Sequence, residues 1–174
     1  MRTRESIYLP TFALVTPLRA PGAVDGPPTG EESGNAQAAP GTPTSDRPFN
    51  LVSREVIEVQ RVPPALQPVL FMDEALEEYV TSGDGLYHRR WTIYFHVGCT
   101  SASGTAAATI LNPLLDVLEA ALQPGDGNAL GLGDIVTSAQ FAGLSVKNLG
   151  NNSLIPDQRQ AVAYVPFQLN FGPY

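Results

Sequence analysis

The stretch "RRWTIYFHVGC" (Arg89–Cys99) decides how the chain is read. It holds the only tryptophan, the only cysteine and one of the two histidines. In a strand, successive side chains point to opposite faces. Trp91, Ile93, Phe95, Val97 and Cys99 then form one apolar stripe, and Thr92, Tyr94 and His96 lie on the other face. His96 and Cys99 are separated by an odd number of residues, so a regular strand points them apart. They cannot share a metal or form a thiolate–imidazole pair. Cys99 reads as a small core residue closing the stripe. His88 shares the face of His96, but eight residues at about 3.3 Å each put it about 26 Å away. His96 therefore reads as an outward or interface histidine. The stretch is a strand of a packed sheet, and no metal or cofactor is expected at it.

Working outward, the chain alternates between strand and helix signals. "QAVAYVPFQLNF" (160–171) places Ala161, Ala163, Val165, Phe167, Leu169 and Phe171 on one face. Each of its four large side chains is worth roughly 1.5–3 kcal/mol when buried. Pro166 removes a ladder donor, which suggests an edge, a bulge or an outward position. Upstream, "FNLVSREVIEVQRV" (49–62) reads as a strand with one wet face, and Val69–Met72 as a shorter one. "EALEEYVTSGDG" is an acidic stretch ending in a turn signal. Another strand lies near Asp134–Val146. "TAAATILNPLLDVLEAALQPGDG" is the strongest helix, with Leu111, Leu114, Leu115, Leu118 and Leu122 on one stripe. Asn112 and Pro113 suit its first turn, with the residues before them a turn of helix or loop, and Pro124 and Gly125 stop it. Residues 4–18 suggest a short helix with a kink or late start at Pro10.

The expected fold is α+β: a single mixed, mainly antiparallel sheet of about five strands with helices packed on one face. A length of 174 residues suits one domain. Residues 1–19 supply an N-terminal helix of the core, and residues 49–174 the α+β core domain. Between them, eleven of residues 20–48 are Pro or Gly and only Val24 is a sizeable apolar residue. That segment cannot offset its ordering entropy by burial and reads as an inserted loop or arm.

Composition excludes several functions. A net charge of −7 with ten Lys and Arg argues against direct grip on nucleic acid. One cysteine excludes an internal disulfide. No apolar run approaches the roughly 18 residues of a membrane span, and the interrupted N-terminal run is a poor signal peptide. "GDGNALGLGD" (125–134) runs helix, glycine loop, strand, the reverse of a phosphate loop, and lacks the Gly-Lys-Ser/Thr step. A calcium loop through Asp126, Asn128 and Asp134 lacks its closing glutamate. Histidine is too scarce for a serine triad, and "SASGT" is plain loop. Asp73, Glu74, Glu77 and Glu78 form an acidic patch of the kind that is usually solvated. Arg89 and Arg90 put one cation on each face of the strand. A small enzyme would have to use His96 and this acidic cluster. No catalytic residue is assigned.

Taken in order, several runs resemble the tail terminator (tail completion) proteins of long-tailed bacteriophages. They are "FNLVSREVIEVQRVPPALQPVLFMDEALEEYV", "RRWTIYFHVGC", "LNPLLDVLEAALQP", "NALGLGDIVTSAQFAGL" and "QAVAYVPFQLNF". The family's Pro-x-Leu-Phe-like strand appears at Pro68–Phe71 and its amphipathic helix at Leu111–Leu115. Its glycine turn appears at Leu130–Gly133 and its Val-Pro-aliphatic step at Val165–Phe167. The likeness covers nearly everything except residues 20–48, and order and spacing carry it rather than any single motif. The insertion and the "GLGD" turn depart from the family pattern, which opens the alternative of another neck or head–tail adaptor protein. The resemblance implies a structural virion protein without catalysis, assembled in the host cytoplasm. It implies a homo-oligomeric ring, usually a hexamer, at the head-proximal end of the tail tube. Its partners would be the tube protein and neck or connector proteins, with DNA passing through the lumen without specific binding and no membrane. A ring contact needs two complementary patches per subunit. Asp73, Glu74, Glu77 and Glu78 against Arg89 and Arg90 are the candidates; alternatively the acidic side chains line the lumen and repel DNA.

Overall fold

A computed structural model describes residues 5–23, 41–73, 76–81, 87–101, 106–122, 138–141, 145–152 and 155–171. The elements run α1 (Glu5–Val15), β1 (Leu51–Ser53), β2 (Val69–Asp73), β3 (Glu77–Thr81), β4 (Tyr87–Ser101), α2 (Ala107–Leu122), β5 (Ser138–Phe141), β6 (Ser145–Asn152) and β7 (Ile155–Phe171). The seven strands among the described residues form one sheet of five lanes. The order is β1, then β2 and β3 end to end, then β4, β7, and finally β5 and β6 along the far side of β7. Among the described strands β1 and β2 pair parallel and the other pairs are antiparallel. This is the expected α+β fold with a mixed, mainly antiparallel sheet.

The centre of the sheet is the β4–β7 pair, in register from Arg89 opposite Phe171 to Ser101 opposite Arg159. Both strands turn their odd-numbered residues to the same side. Trp91, Ile93, Phe95, Val97 and Cys99 meet Ala161, Ala163, Val165, Phe167, Leu169 and Phe171 there, all of them buried. The helices cover this face. Leu111, Leu114, Leu118 and Leu122 of α2 pack on it, as do Ile7, Tyr8 and Val15 of α1.

Several local expectations are corrected. α1 starts at Glu5, so Pro10 lies inside it rather than at its start. α2 starts at Ala107, so Asn112 does not cap it, and Pro113 sits within the helix on its exposed side. Residues 49–62 do not form one strand. β1 ends after Ser53, whose hydroxyl accepts a hydrogen bond from the Glu55 N–H at 2.9 Å and turns the chain. The acidic stretch contains a strand, β3, which continues the line of β2 along β4: Asp73 pairs with Tyr94 and Glu77 with Trp91. The last strand is longer than expected and central. Pro166 lies opposite Tyr94, in the interval between the registers of β5 and β6.

The second face of the sheet is half covered. Residues 54–67 fold over it in two short 3₁₀ turns, Val59–Arg61 and Pro64–Leu66. Val59, Val62 and Leu66 pack with Leu51, Val69, Phe71 and Val162 in a second core. This explains why Val69, Leu70, Phe71 and Met72 are all buried: β2 has a core on each side. Gln67 ties the flap down. Its Nε2 donates to the carbonyls of Val59 (3.3 Å) and Val62 (3.1 Å), and its Oε1 accepts from the Thr100 hydroxyl on β4.

Gly98 makes the flap's close approach possible. A Cβ there would lie 2.5 and 2.6 Å from the Val59 methyls and 3.0 Å from Val69. Val59 is β-branched and buried, so it has little room to move aside. Gly98→Ala is expected to lower stability by about 1–3 kcal/mol in urea titrations, while Gly98→Ala with Val59→Ala recovers part of that loss.

The ends of the Pro/Gly-rich segment lie side by side. Ala20 N–H donates to Phe49 (2.7 Å), Phe49 N–H to Leu18 (3.3 Å) and Thr42 N–H to Pro21 (2.9 Å). The chain thus leaves and re-enters the core at one place. Residues 24–40 lie outside the described residues.

Candidate functional site

The residues singled out in the sequence fall at two places on the sheet. The first is the β3–β4 junction on the helix face. Glu77 and Arg89 sit diagonally across the pair, and the Glu77 carboxylate meets the Arg89 guanidinium in an ion pair. Both side chains are largely buried, Arg89 at 10% exposure and Glu77 at 20%. The guanidinium lies 4.8 Å from the Trp91 ring centroid and 5.8 Å from that of Phe171, within cation–π range. Tyr8 of α1 packs on Trp91 at 5.2 Å. Arg54 lies 5.8 Å over the Tyr8 ring and grips Glu5 through two hydrogen bonds of 2.6 and 3.0 Å. Those bonds hold the Glu5 carboxyl below the usual carboxylate range. Glu77 and Arg89 thus meet within one chain and join β3 to β4, while Tyr8 on Trp91 ties in α1.

The second place is the half of the other face that residues 54–67 do not cover. Glu78 lies opposite Arg90 in register, and Arg90 Nε donates to Asn170 Oδ1 at 3.1 Å. Further along, His96 Nε2 lies 3.7 Å from Asp73 Oδ2, and its ring meets the Tyr164 ring edge-on at 4.9 Å. Tyr94 stands exposed beside them. Glu74 lies outside the described residues, as do Gly125–Asp134 and Ala102–Thr105.

His96 and Cys99 point to opposite faces, as the strand period requires. Cys99 is fully buried among the helix-face residues, and that burial pushes its thiol up to about 11. A thiol so protonated at neutral pH is a poor nucleophile. Burial pushes His96 below its ordinary value, and the nearby Asp73 opposes this less strongly. The unfolded histidine titrates near its reference value of about 6.5. As pH falls through that value, the unfolded chain takes up a proton that the folded chain resists. His96 therefore subtracts stability as pH drops from about 6.5 toward its folded value. Titrating the wild type and His96→Gln with urea at pH 7.5 and 5.5 should show a smaller loss in the variant.

The chemistry available is limited. Among the described residues no group of three His, Cys, Asp or Glu is placed to hold a metal ion. Among the same residues no helix is long and apolar enough to cross a membrane. Sequence reasoning missed the roles of Glu5, Arg54 and Gln67, which depend on partners elsewhere in the chain. Comparison with protein-family models and with curated proteins finds no match.

Proposed function

We propose that the chain is a structural virion protein, a tail terminator that forms a ring on the head-proximal end of a phage tail tube. In this reading it ends tube growth and joins tail to head without catalysis. The observation that carries the proposal is the two unlike sides of the sheet. One side steps from the short parallel β1 to the acidic β3; the other is the β5–β6 lane. A head-to-tail contact needs two different patches on one subunit, and its repetition closes a ring when the rotation allows. The ordered set of sequence motifs supports the same reading, as does one sheet backed by one helix layer. The ring would be homo-oligomeric, with a hexamer expected from the resemblance. The tube protein and neck or connector proteins are its neighbours, and a net charge of −7 lets DNA pass the lumen without sticking.

The Pro/Gly-rich insertion in the sequence favours a second reading, another neck or head–tail adaptor protein, because it departs from the family pattern. Electron microscopy of the protein mixed with tail tubes separates them. A terminator caps one end of each tube and stops its elongation. Tubes that stay bare and keep growing, with the protein found only on head connectors, would select the adaptor.

A further inference from the structure

We propose that residues 54–67 form an acid-released strap: protonation of His96 lifts this flap off the second face of the sheet while the helix-backed core stays closed. The proposal stands apart from the ring reading above.

His96 sits at the border of the second core. Phe71 lies opposite it on β2 and Tyr164 opposite it on β7; the first belongs to that core and the second packs against it. Two residues along β4 is Gly98, over which the flap's Val59 lies. Ile57, also of the flap, packs against the same core. The flap thus closes over the neighbours that wall in the imidazole, and the His96 side chain is only 17% exposed. A charged imidazole loses much of its hydration there.

The surrounding groups offset little of that loss. β2 supplies Asp73, whose Oδ2 lies 3.7 Å from Nε2 and whose side chain is 46% exposed, so water screens the attraction. β7 supplies Tyr164, ring to ring at 4.9 Å, and β4 itself Tyr94, neither of them a carboxylate. The charges of the flap are engaged elsewhere or exposed. Arg54 holds Glu5 of α1, Glu58 pairs with Arg61 at 3.0 Å on the surface, and Glu55 is exposed. Among the described residues, one half-exposed carboxylate faces the ring. Burial accordingly outweighs Asp73 and pushes His96 below its ordinary value.

The flap is the part that can yield. Of residues 54–67 only Val59, Val62, Leu66 and Gln67 are buried. Its backbone bonds from Val62 N–H to Val59 and from Leu66 N–H to Pro63 each close a single turn, at 3.1 and 2.9 Å. Its C-terminal end is held by the Gln67 side chain on Thr100 and by the Asn50 amide, which donates to the Gln67 carbonyl at 2.8 Å. A segment with so few buried contacts opens at lower free energy than long paired strands. β4 and β7, by contrast, pair from Arg89 to Ser101 beneath two helices. Lifting Val59 off Gly98 therefore frees the ring at the lowest cost, and it uncovers Val69, Phe71 and Val162.

The test is amide hydrogen exchange of the full chain, read by mass spectrometry over a series from pH 7.5 to 5.5 and corrected for the intrinsic pH dependence of exchange. A histidine that titrates near about 6.5 once the flap is open sets a ceiling of about tenfold on the gain in opening across that range. Flap amides, those of Val62 and Leu66 above all, should gain severalfold toward pH 5.5, while those of α2 and of the β4–β7 pair should not. His96→Gln and His96→Phe, neither of which titrates, should abolish the gain. A gain alike in every element makes the linkage global and overturns the strap. So does a flap indifferent to pH, or a gain that survives in a folded His96 variant. Should both variants fail to fold, the wild-type series decides: a flap gain steeper than about tenfold per pH unit is no single-proton event and overturns the assignment to His96. None of these outcomes bears on the ring.

Discussion

Phe167→Ala is expected to cost about 3–5 kcal/mol of stability, a large share of what a domain of this size has. Phe167 is fully buried in β7, where the helix layer and the sheet meet. It lies opposite Ile93 in the β4–β7 register, and its ring is 6.1 Å from that of Phe95. Truncation removes the transfer energy of the ring and leaves a cavity that two long, paired strands cannot collapse. Urea denaturation followed by tryptophan fluorescence reads the loss directly, since Trp91 lies in the same core. Phe167→Leu fills most of the space and should cost less than half as much.

Glu77→Ala is expected to cost about 3 kcal/mol, because it takes the carboxylate from a largely buried guanidinium. Arg89 cannot shed its charge, since a guanidinium stays protonated in proteins. Exposure of Glu77 at 20% keeps the cost at the low end of the range for buried pairs. Replacing both partners, Glu77→Leu with Arg89→Met, should restore most of the stability lost, because no charge is then left in the apolar stack of Trp91, Phe171 and Tyr8. Urea midpoints of the two variants beside the wild type check this. If Glu77→Ala proves neutral, the pair does not anchor β3.

What was legible in the sequence was what a short period can encode. The stripes of β4 and β7 repeat every second residue and that of α2 every third or fourth, so each announced its buried face. The separation of His96 and Cys99 followed from the same period. The rest depends on contacts distant in sequence. Val52, Val56 and Val59 among Arg54, Glu55 and Glu58 read as a strand's alternation, but their spacing of four and three is not that of a strand, and the Ser53 turn sends Val59 over Gly98. β3 looked like a solvated acidic run, because the residue that neutralises Glu77 comes only at Arg89. The Asn112–Pro113 step looked like a helix start, yet tertiary packing of Leu111 carries the helix through it. Glu5 finds Arg54 forty-nine residues away, a pairing no local pattern marks.

The candidate site was legible as residue types and not as partners. Glu77 and Arg89 were chosen as opposite patches for separate subunits, and the fold brings them together in one chain. Glu78 is exposed on β3, and Asp73 lies beside His96 on the other face.

The central claim is that this chain works by copies docking side by side. Native mass spectrometry of the purified protein over a concentration series tests it most directly. The account predicts one closed oligomer of fixed size growing at the expense of monomer, with nothing larger accumulating. Monomer alone at every concentration, or an open ladder of dimers, trimers and longer chains with no preferred size, would contradict it.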